Sequence, residues 1–323
     1  MYYFIVNISG GSGKVKKTWA CVRDELNKTD IKYKAFRTKS PKHAKMLAGK
    51  ISELDDDDIH MVVVGGDGTI NEVINGIKNF DRITLSVIPS GSGNDFARGL
   101  GISKNPVEAL ERILDPNGEV KKIDLGCLTV SGKKRLFGIS SGIGLDAIVC
   151  KKALTSKIKK VLNKLNLGSL TYLILTIISL FSMRYIDTEI EIYDAEDDND
   201  EHKEKDNSLV LKEKMVLNKM IFSAFMNVKA EGGGVPMAPD ASYDDGKLSL
   251  CIASDISKLN AFFKLPLLVM AKQEKIKGFN LVEAKKVVVR IKEPAVVHVD
   301  GEYVGDETMA VVECLKNKLV IKM

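Results

Sequence analysis

The segment at residues 60–73 constrains the fold of this chain more than any other. Its sequence is HMVVVGGDGTINEV, in which an apolar, β-branched run leads directly into a glycine-rich turn and then into a helical pattern. In such a turn, free backbone N–H groups and the positive end of the helix dipole can receive a phosphate, and glycines let the backbone approach it closely. From the glycines alone, a tight strand-to-helix turn without a ligand is an equally good interpretation.

Asp67 favours a ligand in this turn. A carboxylate there repels phosphate unless Mg²⁺ lies between the two, so its presence indicates a metal-nucleotide complex rather than a bare anion. Residues 88–97, IPSGSGNDFA, repeat the order of strand, glycine turn and helix. Because neighbouring parallel strands end at the same edge of a sheet, the two turns are expected to face a common crevice.

A third glycine segment, residues 7–14, does not fit a standard nucleotide-binding motif. The P-loop pattern requires glycine where Ile8 stands and a hydroxyl residue where Val15 stands. The GxGxxG pattern is also missing here and at residues 65–70. The sequence therefore supports neither a standard P-loop ATPase nor a dinucleotide-binding protein.

The 323 residues divide into two regions of different pattern, which predicts two domains. Strand patterns alternate with helix patterns up to residue 124, which predicts an α/β domain with a doubly wound, mostly parallel sheet. From there to residue 304 the chain shows short strand patterns separated by turns, which predicts a β-rich, sandwich-like domain. The strand patterns are at 3–7, 32–37, 60–64 and 85–88, then at 122–130, 135–139, 188–193, 220–228, 248–252, 287–291 and 295–300; the helix patterns of the first domain are at 16–27, 41–54, 69–78 and 106–114.

Charge and cysteine usage narrow the class of protein. A formal net charge of +5 is too small to imply a nucleic-acid partner. The five cysteines are widely spaced and form no CxxC pair, so neither a disulfide framework nor a structural zinc site is indicated. Residues 1–6 have the pattern of a buried strand rather than of a signal peptide, and we expect a cytoplasmic protein.

Residues 151–183 have the composition of a membrane-docking segment. Residues 151–164 hold six lysines and no acid, and residues 165–183 carry no charge. Polar residues recur along the uncharged part at helical spacing, which favours a helix lying on a membrane over one that spans it. The alternative is a core helix preceded by a solvated lysine segment.

The motifs together resemble one family. GGDGT followed by INEVING, then PSGSGNDFARGLGI, resembles the catalytic domain of the diacylglycerol kinase superfamily, which includes bacterial lipid kinases and sphingosine kinases. Residues 238–246, APDASYDDG, resemble the acidic metal-site turn of that family, and residues 299–302, VDGE, its catalytic segment. The chain is most similar to the soluble bacterial diacylglycerol kinase branch.

The resemblance implies an ATP- and Mg²⁺-dependent lipid kinase with its active site in the cleft between the domains. It also implies that residues 305–323, with a last strand at 318–322, return to complete the first domain. Glu302 matches the general base, and Asp67 the acid at the nucleotide. Asp245 matches the metal ligand, joined by the backbone carbonyls of Ser242 and Lys247. Asp67, Asp95 and Asp124 match acids that link this metal, through waters, to the nucleotide site. The nucleotide-binding residues implied are Lys14, Thr38, Gly65, Gly66, Asp67, Gly68, Thr69, Ile70, Asn71 and Ser92.

The residues themselves leave simpler roles open. Asp95 could cap its helix, Asp124 could be a charge at a strand end, and Asp300 to Glu302 could be only a hairpin tip. His60 and His298 lie before and within predicted strands, with no second ligand at a metal spacing, so we interpret both as structural.

Diacylglycerol is the favoured acceptor, met at an anionic membrane surface by a peripherally associated enzyme. Another lipid alcohol, such as a sphingoid base or phosphatidylglycerol, stays open because the shape of the pocket decides the acceptor. A lipid-binding regulator without turnover is the other alternative, and the presence of Asp67, Asp245 and Glu302 argues against it. Whether the chain forms a homodimer is also left open.

Overall fold

A computed structural model of the chain describes residues 1–8, 10, 13–155, 168–195 and 209–323. These residues form two compact units. Unit 1 comprises Met1–Leu125 and Lys316–Met323, and unit 2 comprises Gly126–Leu315. The chain thus rejoins unit 1 at Lys316, whereas the resemblance placed the return at residue 305.

Unit 1 is built on a parallel sheet with strand order β2-β1-β3-β4. The end of the last strand, β14, extends it, because Val320 and Ile321 pair in parallel with Thr84 and Leu85. The strands are β1 (Tyr2–Val6), β2 (Tyr33–Arg37), β3 (Ile59–Gly65), β4 (Ile83–Pro89) and β14 (Glu302–Lys322), and the helices are α1 (Lys14–Leu26), α2 (His43–Ile51), α3 (Asp67–Ile74), α4 (Asp95–Gly99) and α5 (Pro106–Leu114).

Helices cover this sheet because its central strands are apolar throughout. Every residue of β3 except His60 is buried. Phe4 and Val62 pack against Trp19 and Val22 of α1 and Leu110 of α5 in one core cluster. A parallel strand without a polar face needs cover on both sides, which is the doubly wound arrangement that the sequence predicted.

Unit 2 is β-rich and antiparallel, with the strand order β12-β11-β10-β7-β13. Strand β13 also pairs with β8 and β14, β8 pairs with β9, and β5 pairs with β6. The strands are β5 (Val120–Val130), β6 (Lys133–Phe137), β7 (Ser140–Gly144), β8 (Ile186–Ala195), β9 (Leu209–Met220), β10 (Phe222–Met226), β11 (Leu248–Ala253), β12 (Phe279–Ala284) and β13 (Lys286–Val299), and the helices are α6 (Leu145–Thr155), α7 (Gly168–Ser182) and α8 (Lys258–Val269).

Two apolar clusters fill unit 2, and alternation along β10 separates them. Phe225 belongs to a cluster made of strand residues, whereas Phe222 and Met226 belong to one that includes residues of the three helices. Side chains alternate across a strand, so β10 contributes to both layers. The fold class predicted from the sequence, an α/β domain followed by a β-rich domain, is confirmed.

The uncharged segment of the sequence forms α7 from Gly168. Among the helices of the described ranges, we find none with the length and apolarity that crossing a bilayer requires. The lysine-rich segment is described only as far as Thr155, the last residue of α6, and Lys157, Lys159 and Lys160 lie outside the described residues.

Candidate functional site

The two glycine turns of unit 1 touch each other through their backbones. Gly66 precedes α3 and Gly91 follows β4. A Cβ atom on Gly66 would lie 2.8 Å from the Cα of Gly91, and one on Gly91 would lie 2.5 Å from the Cα of Gly66. Neither position has room for a side chain, so the contact requires both glycines. The N–H of Ser90 also donates to the carbonyl of Gly65, at 2.8 Å.

Asp67 and Asp95 lie on opposite turns and meet at Gly93. A Cβ on Gly93 would lie 3.0 Å from the Asp67 carboxylate and 3.3 Å from that of Asp95. Asp67 accepts a hydrogen bond from the N–H of Phe96 in α4, at 3.1 Å, and Asp95 forms an ion pair with Arg98. Asp67 thus provides a carboxylate for a backbone N–H of α4.

Asn7 connects two of the predicted nucleotide residues, and the sequence analysis missed it. Its side-chain amide donates to Thr69 Oγ1 at 2.8 Å, and its carbonyl oxygen accepts from Thr38 Oγ1 at 3.1 Å. Both threonines are buried. A polar residue directly after a buried parallel strand was the available signal, because strand ends are where ligands bind in such sheets.

The other residues predicted for this site differ in exposure. Lys14 is the exposed first residue of α1, and Ser92 is exposed in the second turn. Ile70 and Asn71 are buried within α3, which also contains Gly68. Asp124 is fully buried in β5, where its carboxylate accepts from the N–H of Asn317 at 2.6 Å.

Asp245 lies in an exposed turn of unit 2. Its carboxylate accepts from the N–H of Lys247 at 2.9 Å, and Ser242 Oγ donates to Asp244 at 2.6 Å. The Lys247 ammonium lies 3.1 Å from Asp194, and this hydrogen bond raises the pKa of Lys247. The metal ligands predicted here are the Asp245 carboxylate and the carbonyls of Ser242 and Lys247. All are oxygen ligands, which suit Mg²⁺.

Glu302 follows a tight turn between β13 and β14. Asp300 and Gly301 both have positive φ, 44° and 78°, as the central residues of a type I′ hairpin turn do. The Asp300 carboxylate accepts from three consecutive backbone N–H groups, those of residues 138–140, at 2.9 to 3.1 Å. Glu302 itself forms an ion pair with Arg135 of β6. The segment is a hairpin tip, and the hydrogen bonds that the Asp300 carboxylate accepts hold it in place.

His298 lies beside two carboxylates that the sequence did not connect with it. Its side chain is buried, and Nε2 lies 3.2 Å from Asp146 Oδ2. Potential ligand atoms of Asp146, Glu231 and His298 all lie within 4.8 Å of one another. Burial alone would lower the pKa of His298, but the carboxylates of Asp146, Glu231 and Asp300 raise it overall.

His60, by contrast, lies 3.0 Å from Ser86 Oγ, and burial lowers its pKa to about 4.

Comparison with known protein families accounts for both units. The diacylglycerol kinase catalytic domain matches residues 1–128, and the YegS C-terminal NAD kinase beta sandwich-like domain matches residues 140–322. The chain belongs to the diacylglycerol kinase-like family of lipid kinases. It is therefore an enzyme of the phosphotransferase class, and the family implies that it uses ATP.

Individual relatives of this lipid kinase agree with the assignment. It is 28% identical to "Putative lipid kinase YtlR" of Bacillus subtilis over 94% of each chain. It is 31% identical to a diacylglycerol kinase of the same organism over 76% of this chain and 71% of the relative. A solved Bacillus anthracis structure described as a "putative diacylglycerol kinase" superposes with a TM-score of 0.70 at 24% identity, over 99% of this chain and 96% of that one, which shows that the fold is shared.

Proposed function

We propose that this lipid kinase transfers the γ-phosphoryl group of ATP to the hydroxyl of diacylglycerol, producing phosphatidic acid and ADP, with Mg²⁺ as the metal. The observation that carries the choice of acceptor is the 31% identity to a relative named diacylglycerol kinase. Further relatives from Staphylococcus saprophyticus and Mycobacterium tuberculosis carry the same name.

The nucleotide is proposed to bind at the two glycine turns of unit 1. Their contact through Gly66 and Gly91 leaves backbone without side chains at the end of β3 and β4, where a phosphate can approach closely. Thr38 and Thr69, joined through Asn7, and the exposed Ser92 add hydroxyl groups. Asp67 and Asp95 are the acids of this region.

Glu302 is proposed as the general base. A lipid hydroxyl is a weak nucleophile, and a carboxylate within hydrogen-bond reach can take its proton as the oxygen bonds to the γ-phosphorus. The ion pair with Arg135 and the turn that Asp300 anchors restrict where this carboxylate can lie. Restricting the position of a base favours the reactive geometry over others.

Asp245, with the carbonyls of Ser242 and Lys247, is the proposed Mg²⁺ site. Three oxygen donors within six residues fit a hard cation that also keeps several waters. Bound Mg²⁺ would supply positive charge that offsets the negative charge of phosphate groups. In this proposal, the exposed Asp245 side chain holds the ion and the Lys247 N–H orients one of its oxygens.

The enzyme is proposed to meet its acceptor at an anionic membrane surface. We define the apolar patch of unit 2 as Leu173, Ile178 and Phe181 on α7 with Leu259, Phe263 and Val269 on α8, all between 46% and 66% exposed. Phe181 and Phe262 connect the two helices, with ring centroids 5.9 Å apart. The exposed basic residues Arg184 and Lys264 accompany this patch, so it offers both apolar contact and attraction to anionic lipid.

The proposal is tested by a lipid panel. The purified full chain is incubated with Mg²⁺ and ATP labelled at the γ-phosphate, in mixed micelles that contain diacylglycerol, a sphingoid base or phosphatidylglycerol. We expect label in phosphatidic acid. Stronger labelling of another lipid would replace diacylglycerol as the acceptor, and no labelled lipid in any arm, with ATP binding intact, would favour a regulator without turnover.

A further inference from the structure

The buried imidazole of His298 has a hydrogen-bond partner at each nitrogen. Nε2 lies 3.2 Å from Asp146 Oδ2 at the start of α6, and the N–H of Gly301 donates to Nδ1 at 3.2 Å. A backbone N–H can only donate, so Nδ1 must carry a lone pair and the proton of the neutral ring lies on Nε2. The contacts therefore select one tautomer, in which Nε2–H donates to Asp146.

This tautomer bears on what the cluster of Asp146, Glu231 and His298 can hold. A metal ion on Nε2 would require the ring proton to move to Nδ1, where it would face the N–H of Gly301. The hydrogen bond from Gly301 to Nδ1 thus disfavours a metal ion at Nε2. The cluster is better suited to orienting His298 than to binding a cation.

We propose that His298 is a positioning residue for Glu302: its Nδ1 atom, oriented by Asp146, accepts the N–H of Gly301 and fixes the turn from which the Glu302 side chain extends. The inference rests on the proposed role of Glu302 as general base. Asp300 anchors the preceding residue of the turn through three backbone N–H groups, and His298 anchors Gly301, so both positive-φ residues are held.

The surroundings are shaped to accept the imidazole-carboxylate pair. Gly142 of β7 pairs with His298 in the sheet, and a Cβ there would overlap the Asp146 carboxylate and lie 2.7 Å from His298 Nε2. Glu231 is held by a hydrogen bond from Ser140 Oγ. The absence of a side chain at residue 142 is what allows Asp146 to reach the ring.

The charges around His298 make this contact sensitive to pH. The charged groups that act on the ring within the described residues are Asp146 in α6, Glu231 in the loop after β10, and Asp300 in the turn, and all three are acids. A second proton would enter at Nδ1 and convert the acceptor of the Gly301 N–H into a donor. Acid should therefore release the turn as well as protonate the base.

Two substitutions separate the two nitrogens of His298. In His298→Asn the side-chain oxygen can occupy the place of Nδ1 and accept from Gly301, but it does not reach Asp146. In His298→Gln the amide can reach Asp146 in place of Nε2, but nothing accepts from Gly301. Each variant replaces a buried ring by a smaller amide, so they serve as matched controls for any loss of stability, which thermal unfolding measures.

With diacylglycerol micelles and Mg²⁺-ATP, we expect His298→Gln to lower kcat by about 10- to 100-fold with little change in KM for ATP. His298→Asn should stay within a few-fold of the wild type, and its kcat should fall less than that of the wild type as the pH drops below neutrality. Equal losses in the two variants, or wild-type kcat in His298→Gln, would overturn the positioning role.

A measurement that does not depend on turnover distinguishes the positioning role of His298 from the proposed role of Glu302 as general base. In ¹⁵N-labelled full chain, at a pH high enough for the ring to be neutral, His298 should show an unprotonated Nδ1 and a protonated Nε2, and exchange of the Gly301 amide should accelerate in His298→Gln but not in His298→Asn. If Glu302→Ala keeps its activity while these signatures hold, the base is misassigned and the contact stands. A protonated Nδ1 in the neutral ring would contradict the contact itself.

Discussion

Glu302 is the residue on which the proposed chemistry depends most directly. We expect Glu302→Ala to lower kcat by about 10²- to 10⁴-fold and to leave ATP affinity nearly unchanged, because a general base acts on the acceptor and not on the nucleotide. Glu307→Ala, on the same strand, removes a carboxylate that accepts a hydrogen bond from Ser131 Oγ, and this variant should keep the activity of the wild type. Steady-state kinetics with ATP and lipid varied separately would measure both effects, and near-normal turnover of Glu302→Ala would remove it from this role.

His60 should make the stability of the enzyme depend on pH. Burial, followed by the charges of Lys322 and the N-terminus, lowers the pKa of His60 from its ordinary 6.5 to about 4. Between these values the unfolded chain takes up a proton that the folded chain does not, so stability falls as the pH drops through this range and is fully present above it. The midpoint of thermal unfolding should show the decline, and His60→Gln should flatten it. An unchanged slope in that variant would contradict the assignment.

At the scale of elements, Asp67 links α3 to α4 and also belongs to the proposed nucleotide site. Asp67→Asn keeps an oxygen for the N–H of Phe96 and loses the charge, whereas Asp67→Ala loses both. We expect both variants to lose Mg²⁺-ATP use, with little recovery at high Mg²⁺, and only Asp67→Ala to lose about 1 kcal/mol of stability as well. Kinetics and thermal unfolding of the pair would separate the roles, and an active Asp67→Asn would show that the charge is dispensable.

At Asp245, too, a substitution can separate the structural hydrogen bond from the proposed metal binding. Asp245→Asn keeps the acceptor for the Lys247 N–H but weakens the proposed metal site. Because a ligand that binds only the folded state stabilises it, a chelator should lower the unfolding midpoint of the wild type and leave that of Asp245→Asn unchanged. Identical midpoints for the two proteins, with and without chelator, would argue that no metal binds there.

Elements with a strong periodic pattern could be predicted from the sequence, and those with a weak one could not. The apolar run of β3 needs no context, whereas β7, with the sequence SSGIG, is made of small residues and gives no strand signal. The two strand patterns on either side of Pro294 are one strand, β13, in which a register shift between Arg290 and Ala295 accommodates the proline. Strand β9 was also missed, since much of it is exposed and its lysines interrupt the alternation.

The same limit applies to the candidate site. The glycines and Asp67 form a local motif that can be found in the sequence. Arg135 and Asp146 could not be found in this way, because they are separated from Glu302 and His298 by 167 and 152 residues. Only the pairing of the strands of unit 2 reveals these contacts.

For the molecule as a whole, the remaining question is how the enzyme reaches a lipid that stays in a bilayer. Lysines cluster in residues 151–164, and the exposed Arg184 and Lys264 accompany the apolar patch of unit 2, so both charge and apolar burial can contribute to binding. Each basic residue near the surface adds roughly 1 kcal/mol, which salt screens, whereas added salt does not weaken apolar burial. The balance between electrostatic attraction and apolar burial can therefore be measured by varying the salt concentration.

We expect the enzyme to float with anionic vesicles at low salt, and less as salt rises or as zwitterionic lipid replaces anionic lipid. Phe263→Ser combined with Val269→Ser should reduce flotation and the phosphorylation of long-chain diacylglycerol, but not that of a short-chain soluble analogue. Val216→Ser is the matched control, because Val216 on β9 is 67% exposed and Val269 is 61% exposed. If the double variant binds vesicles as well as the control does, the apolar patch does not dock on the membrane, and exposed apolar side chains on α8 need another explanation.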